Sequence, residues 1–260
     1  MTSPARRNRE RKLAALQGSA NPQFDQMRAN AYELQLMQLA EHRRTLKSIQ
    51  SIERKIDAKR TMLPVYKPWI DGLLAADRGG QDDVLVTIML WTLDTGDLTG
   101  ALPMADYVIR HGLSTPDRYE RTAATLIAEE VADTGIKLQE AGAGAGPSLG
   151  LLCAYLELLT HCDIFDQVRA KLHKAVGRAA LAEGFKEQAA EHYQRAIELH
   201  DKVGIKKELE VLEREIKKQK AAELPVASDV SAASVTAPAN AEASQEQATE
   251  QQGPAPGEAS

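Results

Sequence analysis

The sequence predicts an all-α protein, and three observations carry that prediction. Its 260 residues hold 43% apolar but only 4% aromatic side chains, with three Phe and two Trp, whereas a β-sandwich or barrel packs on aromatic and β-branched surface. Ala, Leu, Glu, Lys, Arg and Gln dominate instead, and these favour helices. Apolar residues also recur at steps of three, four and seven through stretches without Gly or Pro, the period of an amphipathic helix. The length suits one large domain or two modest ones with tails.

Taken in order, Ser3 and Pro4 read as an N-cap and first helical residue, opening a short basic helix that ends near Gly18. Asn21 and Pro22 break the chain. From Arg28 to Arg60 there is no Gly or Pro, and Tyr32, Leu36, Leu39, Leu46, Ile49 and Ile56 form one narrow stripe. A single helix of about 30 residues cannot bury that stripe alone, so it lies on the body or on copies of itself as a coiled coil does. Pro64 and Pro68 are expected to end it. A short apolar helix, Trp69–Ala76, stops at Gly79 and Gly80. Asp82 and Asp83 sit where a cap belongs, and Val84–Trp91 continues as a buried helix because Val84, Ile88 and Trp91 keep helical spacing.

Two stretches then share a pattern. Gly96 is followed by Ala101, Ala105 and Val108, and Gly184 by Ala189, Tyr193 and Ala196. Each reads as helix, tight Gly turn and second helix, with small residues that let antiparallel helices approach closely. They resemble the hairpins of tetratricopeptide repeats without forming a tandem array. Between them lie an amphipathic helix over Tyr119–Glu140, a flexible connector over Gly142–Gly146 and a buried helix over Leu149–Leu159. After Gly204, the residues Ile205, Leu209, Leu212 and Ile216 form a heptad seam. From Ala221 onward the chain has no aromatic and no base, cannot repay its ordering entropy and is expected to be disordered. The expected organisation is basic N-terminal helices (1–62), a helical-hairpin body (63–203), a coiled-coil-like helix (204–220) and an acidic tail (221–260).

Charge is partitioned along the chain. Residues 1–60 hold 13 bases against 6 acids, whereas the 40 residues from Ala221 hold 6 acids and no base. A basic front on an acidic body suits a polyanion partner, since cations that neutralise phosphates release condensed counterions. Arg6, Arg7, Arg9, Arg11 and Lys12, with Arg43, Arg44 and Lys47 on the second helix, are the candidate phosphate contacts. Leu36, Leu39, Leu46, Ile49 and Ile56, and separately Ile205, Leu209, Leu212 and Ile216, are the candidate oligomerisation seams. No apolar run approaches the ~18 residues of a membrane span, and the basic start lacks the apolar region of a secretory signal. Two cysteines, Cys153 and Cys162, without a Cys-x-x-Cys pair predict a reducing, intracellular setting.

Catalytic signals are sparse. The glycines from Gly142 to Gly150 lack the lysine and preceding strand of a phosphate loop. His161, His173, His192 and His200 make no metal-ligand motif and read as helix-surface or half-buried histidines, so no metal site and no cofactor is expected. Metal-dependent DNA cleavage needs carboxylates converging on Mg²⁺. Glu53–Lys55 and Glu215–Lys217 match a short Glu-x-Lys string, but both lie in helical stretches. Asp82, Asp83, Asp94 and Asp97 read as caps and turn formers, and Glu129 and Glu130 as a polar helix face.

Several strings, in one order from the start to about residue 218, resemble a known family. They are Thr2–Arg7, Arg44–Lys47, Leu63 and Pro64, Pro68 and Trp69, Gly80–Asp83, Met89–Asp97, Val168–Lys174 and Gly204–Lys207. Together they resemble the small terminase subunit, also called the endonuclease subunit or M protein, of temperate tailed phages that package through cohesive ends. The resemblance implies recognition of the packaging site on concatemeric double-stranded phage DNA, recruitment of the large ATPase subunit, homo-oligomerisation with a ring as the expected form, and residence in the host bacterial cytoplasm. It also implies an endonuclease label, although terminase cleavage in general belongs to an acidic metal site of the large subunit. Relatives can end in a basic tail, whereas this one is acidic. Three readings follow: a DNA-recognition adaptor, a Mg²⁺-dependent endonuclease, and a scaffold that binds only protein.

Overall fold

A computed structural model describes residues 22–116, 120–142 and 146–223. The expected Ser3–Gly18 helix with Arg6, Arg7, Arg9, Arg11 and Lys12, the middle of the glycine connector, and the tail beyond Glu223 lie outside the described residues. Among those described the chain is helical without strands, as expected. The helices are α1 (Pro22–Ser48), α2 (Ile52–Ala76), α3 (Asp83–Asp94), α4 (Leu98–Arg110), α5 (Ala123–Glu140), α6 (Leu149–Leu158), α7 (Asp166–Ala182), α8 (Lys186–Leu199) and α9 (Lys206–Glu223). Contacts divide the chain between Ala221 and Ala222, at the start of the expected tail. None of the described helices is long and apolar enough to cross a membrane.

The front of the chain departs from expectation in two ways. The expected single helix over Arg28–Arg60 is interrupted at Ile49–Ser51. Ser48 donates its hydroxyl to the Thr45 carbonyl at 2.7 Å, Thr45 does the same to Glu41 at 3.2 Å, and Ser51 accepts from the Arg54 amide as the N-cap of α2. Side chains that bond their own backbone in this way compete with the helical ladder and favour a new start. Conversely, Pro64 and Pro68 do not end a helix but lie inside α2. They stand four residues apart on the exposed side, whereas Tyr66, Ile70 and Leu73 face the core. The carbonyls they leave without an amide donor lie on that same outer side, where a helix tolerates their loss best. The boundary expected between residues 62 and 63 therefore falls within a helix, and Trp69–Ala76 is the end of α2.

α3 forms the centre. Asp82 caps it by accepting from the Leu85 amide at 2.8 Å, and every residue from Val84 to Leu93 is buried. A helix apolar on all sides has to be covered on all sides, and α1, α2, α4 and α5 pack around it. The stripe of α1 is used here: Leu39 and Leu46 are buried within the chain, and Tyr32, Leu36 and Ile49 pack against the same core.

Tyrosines tie the helices together. Tyr66, Tyr107, Tyr155 and Tyr193 are each fully buried. Their hydroxyls meet His42 Nδ1 (2.8 Å), the Gly79 amide (2.8 Å), the Leu98 carbonyl (2.7 Å) and the Glu208 carboxylate (3.2 Å). A buried tyrosine supplies apolar area and needs a partner for its hydroxyl, so each fixes one junction. Burial pushes the Tyr66 hydroxyl up to about 12, against a lowering by Arg43.

Both expected hairpins form. Gly96 and Gly184 turn with φ of 84° and 89°, a region that favours glycine. In the α7–α8 hairpin a Cβ on Gly177 would lie 2.5 Å from the Tyr193 ring, which is how closely these helices approach. α9 runs antiparallel to α8. Ile205 and Leu212 are buried, Leu209 and Ile216 pack against the core, and Lys186–Glu215 and Gln194–Glu213 link the two helices.

Candidate nucleic-acid interface

The bases between Arg43 and Arg60 are spent very differently. Arg43, expected to face a phosphate, is half-buried and donates Nη2 to Thr87 Oγ1 of α3 at 2.8 Å. Lys59 pairs with Asp94 at the end of α3, and Arg60 reaches the Thr95 carbonyl at 3.1 Å as well as Asp57. These three belong to the body. Arg44 is exposed and pairs locally with Glu41 at 2.6 Å. A surface pair of that kind contributes little and leaves the guanidinium available to another anion.

Lys47, Arg54 and Lys55 differ. Among the described residues none has an acidic partner within ion-pair distance. Lys47 and Arg54 are exposed and Lys55 is half-buried. They flank the turn between α1 and α2, a point that charge counting along one continuous helix did not reveal. Arg54 and Lys55 were not among the expected contacts, and the serine at position 51 was the signal that would have placed them beside a turn. The turn is anchored from below by buried Leu46 and core-packed Ile49.

The carboxylates read as caps and polar surface form a group that sequence reasoning missed. Asp94 of α3 and Glu129 and Asp133 of α5 all act on Glu130 of α5. Burial, then Asp94, Asp133 and Glu129, push Glu130 up to about 7, against Lys59. The outer members have cations: Lys59 on Asp94, Arg121 on Glu129, and Lys171 on Asp133 at 2.8 Å. Glu130 lies three residues after buried Ile127 and beside buried Val131, a spacing that could have revealed its inward position. Asp97 is a cap, accepting from the Gly100 amide. Among the described residues no three His, Cys, Asp or Glu side chains gather in a way that could hold a metal ion. Glu53 and Glu215 both lie on helices, and Glu215 pairs with Lys186.

Two of the histidines meet. His173 of α7 and His192 of α8 face each other with Nδ1 atoms 3.0 Å apart. Burial, the neighbouring His192, Arg195 and Arg169 lower His173 to about 4, and burial lowers His192. His161 is exposed in a turn and His200 caps the end of α8. Cys153 and Cys162 are free, half-buried thiols, both raised by burial.

Comparison with known proteins bears on this arrangement. The model of a family described as phage small terminase subunit matches residues 36–167, from the middle of α1 to the start of α7. The terminase, endonuclease subunit of Escherichia phage P2 is 44% identical over 218 residues, covering 84% of this chain and 87% of that protein. No solved structure matches the chain significantly. The region matched by the family model contains the central helix α3, the α1–α2 turn and its three unpaired cations, and with the coverage of the P2 relative the chain belongs to the phage small terminase subunit family.

Proposed function

We propose that the chain is the DNA-recognition subunit of a packaging terminase. It binds the cohesive-end packaging site of concatemeric viral DNA in the host bacterial cytoplasm and brings the large ATPase subunit to it. The observation that carries this reading is the set of unpaired cations Lys47, Arg54 and Lys55 at an exposed turn, inside the region that matches the family. Cations left without internal partners are the ones free to displace counterions from a duplex. Arg44 adds to this surface, and Arg6, Arg7, Arg9, Arg11 and Lys12 supply a second basic segment ahead of α1.

The test is a gel-shift and cleavage assay on cohesive-end DNA, with and without the large subunit. The expected result is salt-sensitive binding by the purified chain, and cutting only when the large subunit is added. Binding that survives the joint loss of Lys47, Arg54, Lys55 and the five bases of the leading segment would overturn it.

A second reading, endonuclease activity of the chain itself with Mg²⁺, is favoured by the name of the P2 relative, an endonuclease subunit. It requires nicking in Mg²⁺ that EDTA stops and that Asp94→Asn or Glu130→Gln abolishes. Inactivity of the chain alone across divalent metals ends it.

Self-association into a ring is part of the proposal. Of the residues expected at its seams, Leu39, Leu46, Ile205 and Leu212 are buried within one chain, and Leu36, Ile49, Ile56, Leu209 and Ile216 are half-buried. Removing residues 1–60 would therefore cut into the core. Point changes at exposed Leu34 and Met37 of α1, or Val211 of α9, read by light scattering, distinguish the two seams without that damage.

A further inference from the structure

At the turn between α1 and α2, Ile52 stands 75% exposed, more so than the other large exposed apolar side chains among the described residues. A single exposed aliphatic residue is ordinary on a protein surface. Its surroundings are not. Ser48, Gln50 and Ser51 beside it are exposed hydrogen-bonding side chains. The unpaired cations Lys47, Arg54 and Lys55 flank it, and Glu53 is the one acid between Arg43 and Lys55.

The support beneath it is stiff. Leu46 and Ile49 are packed on the core, and the Ser51 hydroxyl caps α2 by accepting from the Arg54 amide. Arg43 holds the last turns of α1 to α3 through Thr87. Isoleucine itself is restricted at χ1. An apolar side chain that protrudes from an anchored turn, with unpaired cations on either side of it in the sequence, has the chemistry of a wedge. Proteins that bend a duplex insert such a side chain between base pairs from the minor groove and neutralise the phosphates on either side.

We propose that Ile52 is an apolar wedge that enters the minor groove of double-stranded DNA and bends it, with Lys47, Arg54 and Lys55 holding the flanking phosphates. This rests on the DNA-binding reading above and adds to it a mode of recognition. A wedge selects flexible base steps, so a site can be preferred through its deformability without direct contacts to base edges.

The experiment uses the full chain and a cohesive-end duplex carrying a fluorophore at each end, in EDTA so that cutting cannot contribute. Energy transfer between the ends reads the bend, and anisotropy reads affinity against salt. The wild-type chain is expected to shorten the end-to-end distance. Ile52→Ser is expected to abolish the shortening and weaken binding about tenfold with an unchanged salt dependence, since it removes apolar contact and no cation. Ile52→Leu should restore most of the bend. The side chain is exposed, so both variants keep the fold, which thermal melting checks.

A duplex that stays straight, or bends equally with Ile52→Ser, overturns the wedge and leaves the DNA-binding reading standing. Absence of binding by the wild-type chain at low salt removes both. A change in subunit number on Ile52→Ser, read by light scattering, assigns the side chain to a contact between copies and overturns the wedge.

Discussion

The α1–α2 turn and the corner where α5, α7, α8 and α9 meet are both rich in bases, and they use them in opposite ways. In the corner, Arg178 pairs with Glu140 at 2.9 Å and Glu208 at 2.8 Å, and Tyr193 donates to the same Glu208. Burial would raise the Glu208 carboxyl, but Arg178 and Tyr193 outweigh it and hold it below its ordinary value. Lys171 and Lys186 are likewise matched with Asp133 and Glu215. At the turn, Lys47, Arg54 and Lys55 have no such partner. A cation whose counter-charge comes from the same chain contributes to cohesion. One left unmatched is available to an external anion. The number of bases in a segment therefore does not locate a polyanion site; the pairing does.

The largest test of this contrast is Arg178→Ala. It strands the Glu208 carboxylate among the remaining helices and should cost about 3 kcal/mol in a denaturant melt. Arg178→Lys should recover only part, because one ammonium cannot bridge two carboxylates with a planar fork. A melting midpoint unchanged by Arg178→Ala would mean that the corner is no better knit than the turn.

Next is the cap of α3. Asp82 also accepts from Trp69 Nε1 at 3.1 Å, so Asp82→Ala removes two buried acceptor contacts and should cost about 2 kcal/mol. Burial raises Asp82 to about 6, against the Leu85 amide and Trp69. A raised carboxyl stabilises the fold fully below its ordinary value near 3.8, and that contribution is lost as pH rises through 6. Asp82→Asn keeps a capping oxygen without the charge, so it should compare better with the wild type at pH 7 than at pH 4.5. Equal differences at the two pH values would contradict the assignment of a buried charge.

The α7–α8 hairpin has the opposite pH dependence. His173 is lowered from its ordinary 6.5 to about 4. It faces His192 with Arg169 and Arg195 nearby, and Glu191 acts on His192. The unfolded chain binds the proton more readily, so the stabilisation present above pH 6.5 is lost as pH falls towards 4. Chemical denaturation across that window should show a steeper acid loss for the wild type than for His173→Gln.

The smallest change in stability belongs to the turn. Replacing Lys47, Arg54 and Lys55 together by Ala should alter stability by less than about 0.5 kcal/mol. The same change should lower the salt slope of DNA binding by about 2 to 3. A large loss of stability would show that these cations serve the fold after all.

Much of the helical layout was legible in the sequence. Asp82 before a run of helical apolar spacing, and Gly96 and Gly184 before small residues at close-packing intervals, are local signals with local causes. The break at Ile49–Ser51 was hidden because the apolar stripe keeps its spacing across it, from Leu46 through Ile49 to Ile56. The prolines misled because their effect depends on which side of the helix they occupy, and that side was unknown. Arg43 and Lys47 looked equivalent by charge. One reaches Thr87, 44 residues away, and the other reaches no acidic partner. The carboxylate group was similarly invisible, since Asp94 and Glu130 come from different helices.

The sequence by itself determined that this protein is helical, where α3 and both hairpins begin, and which family it belongs to, because caps, glycine turns and short strings act within one or two turns of chain. The tertiary structure alone decided which bases are neutralised and which remain open. Electrostatic pairing depends on distance in space, and the acids that meet Lys59 and Arg178 lie 30 or more residues away along the chain.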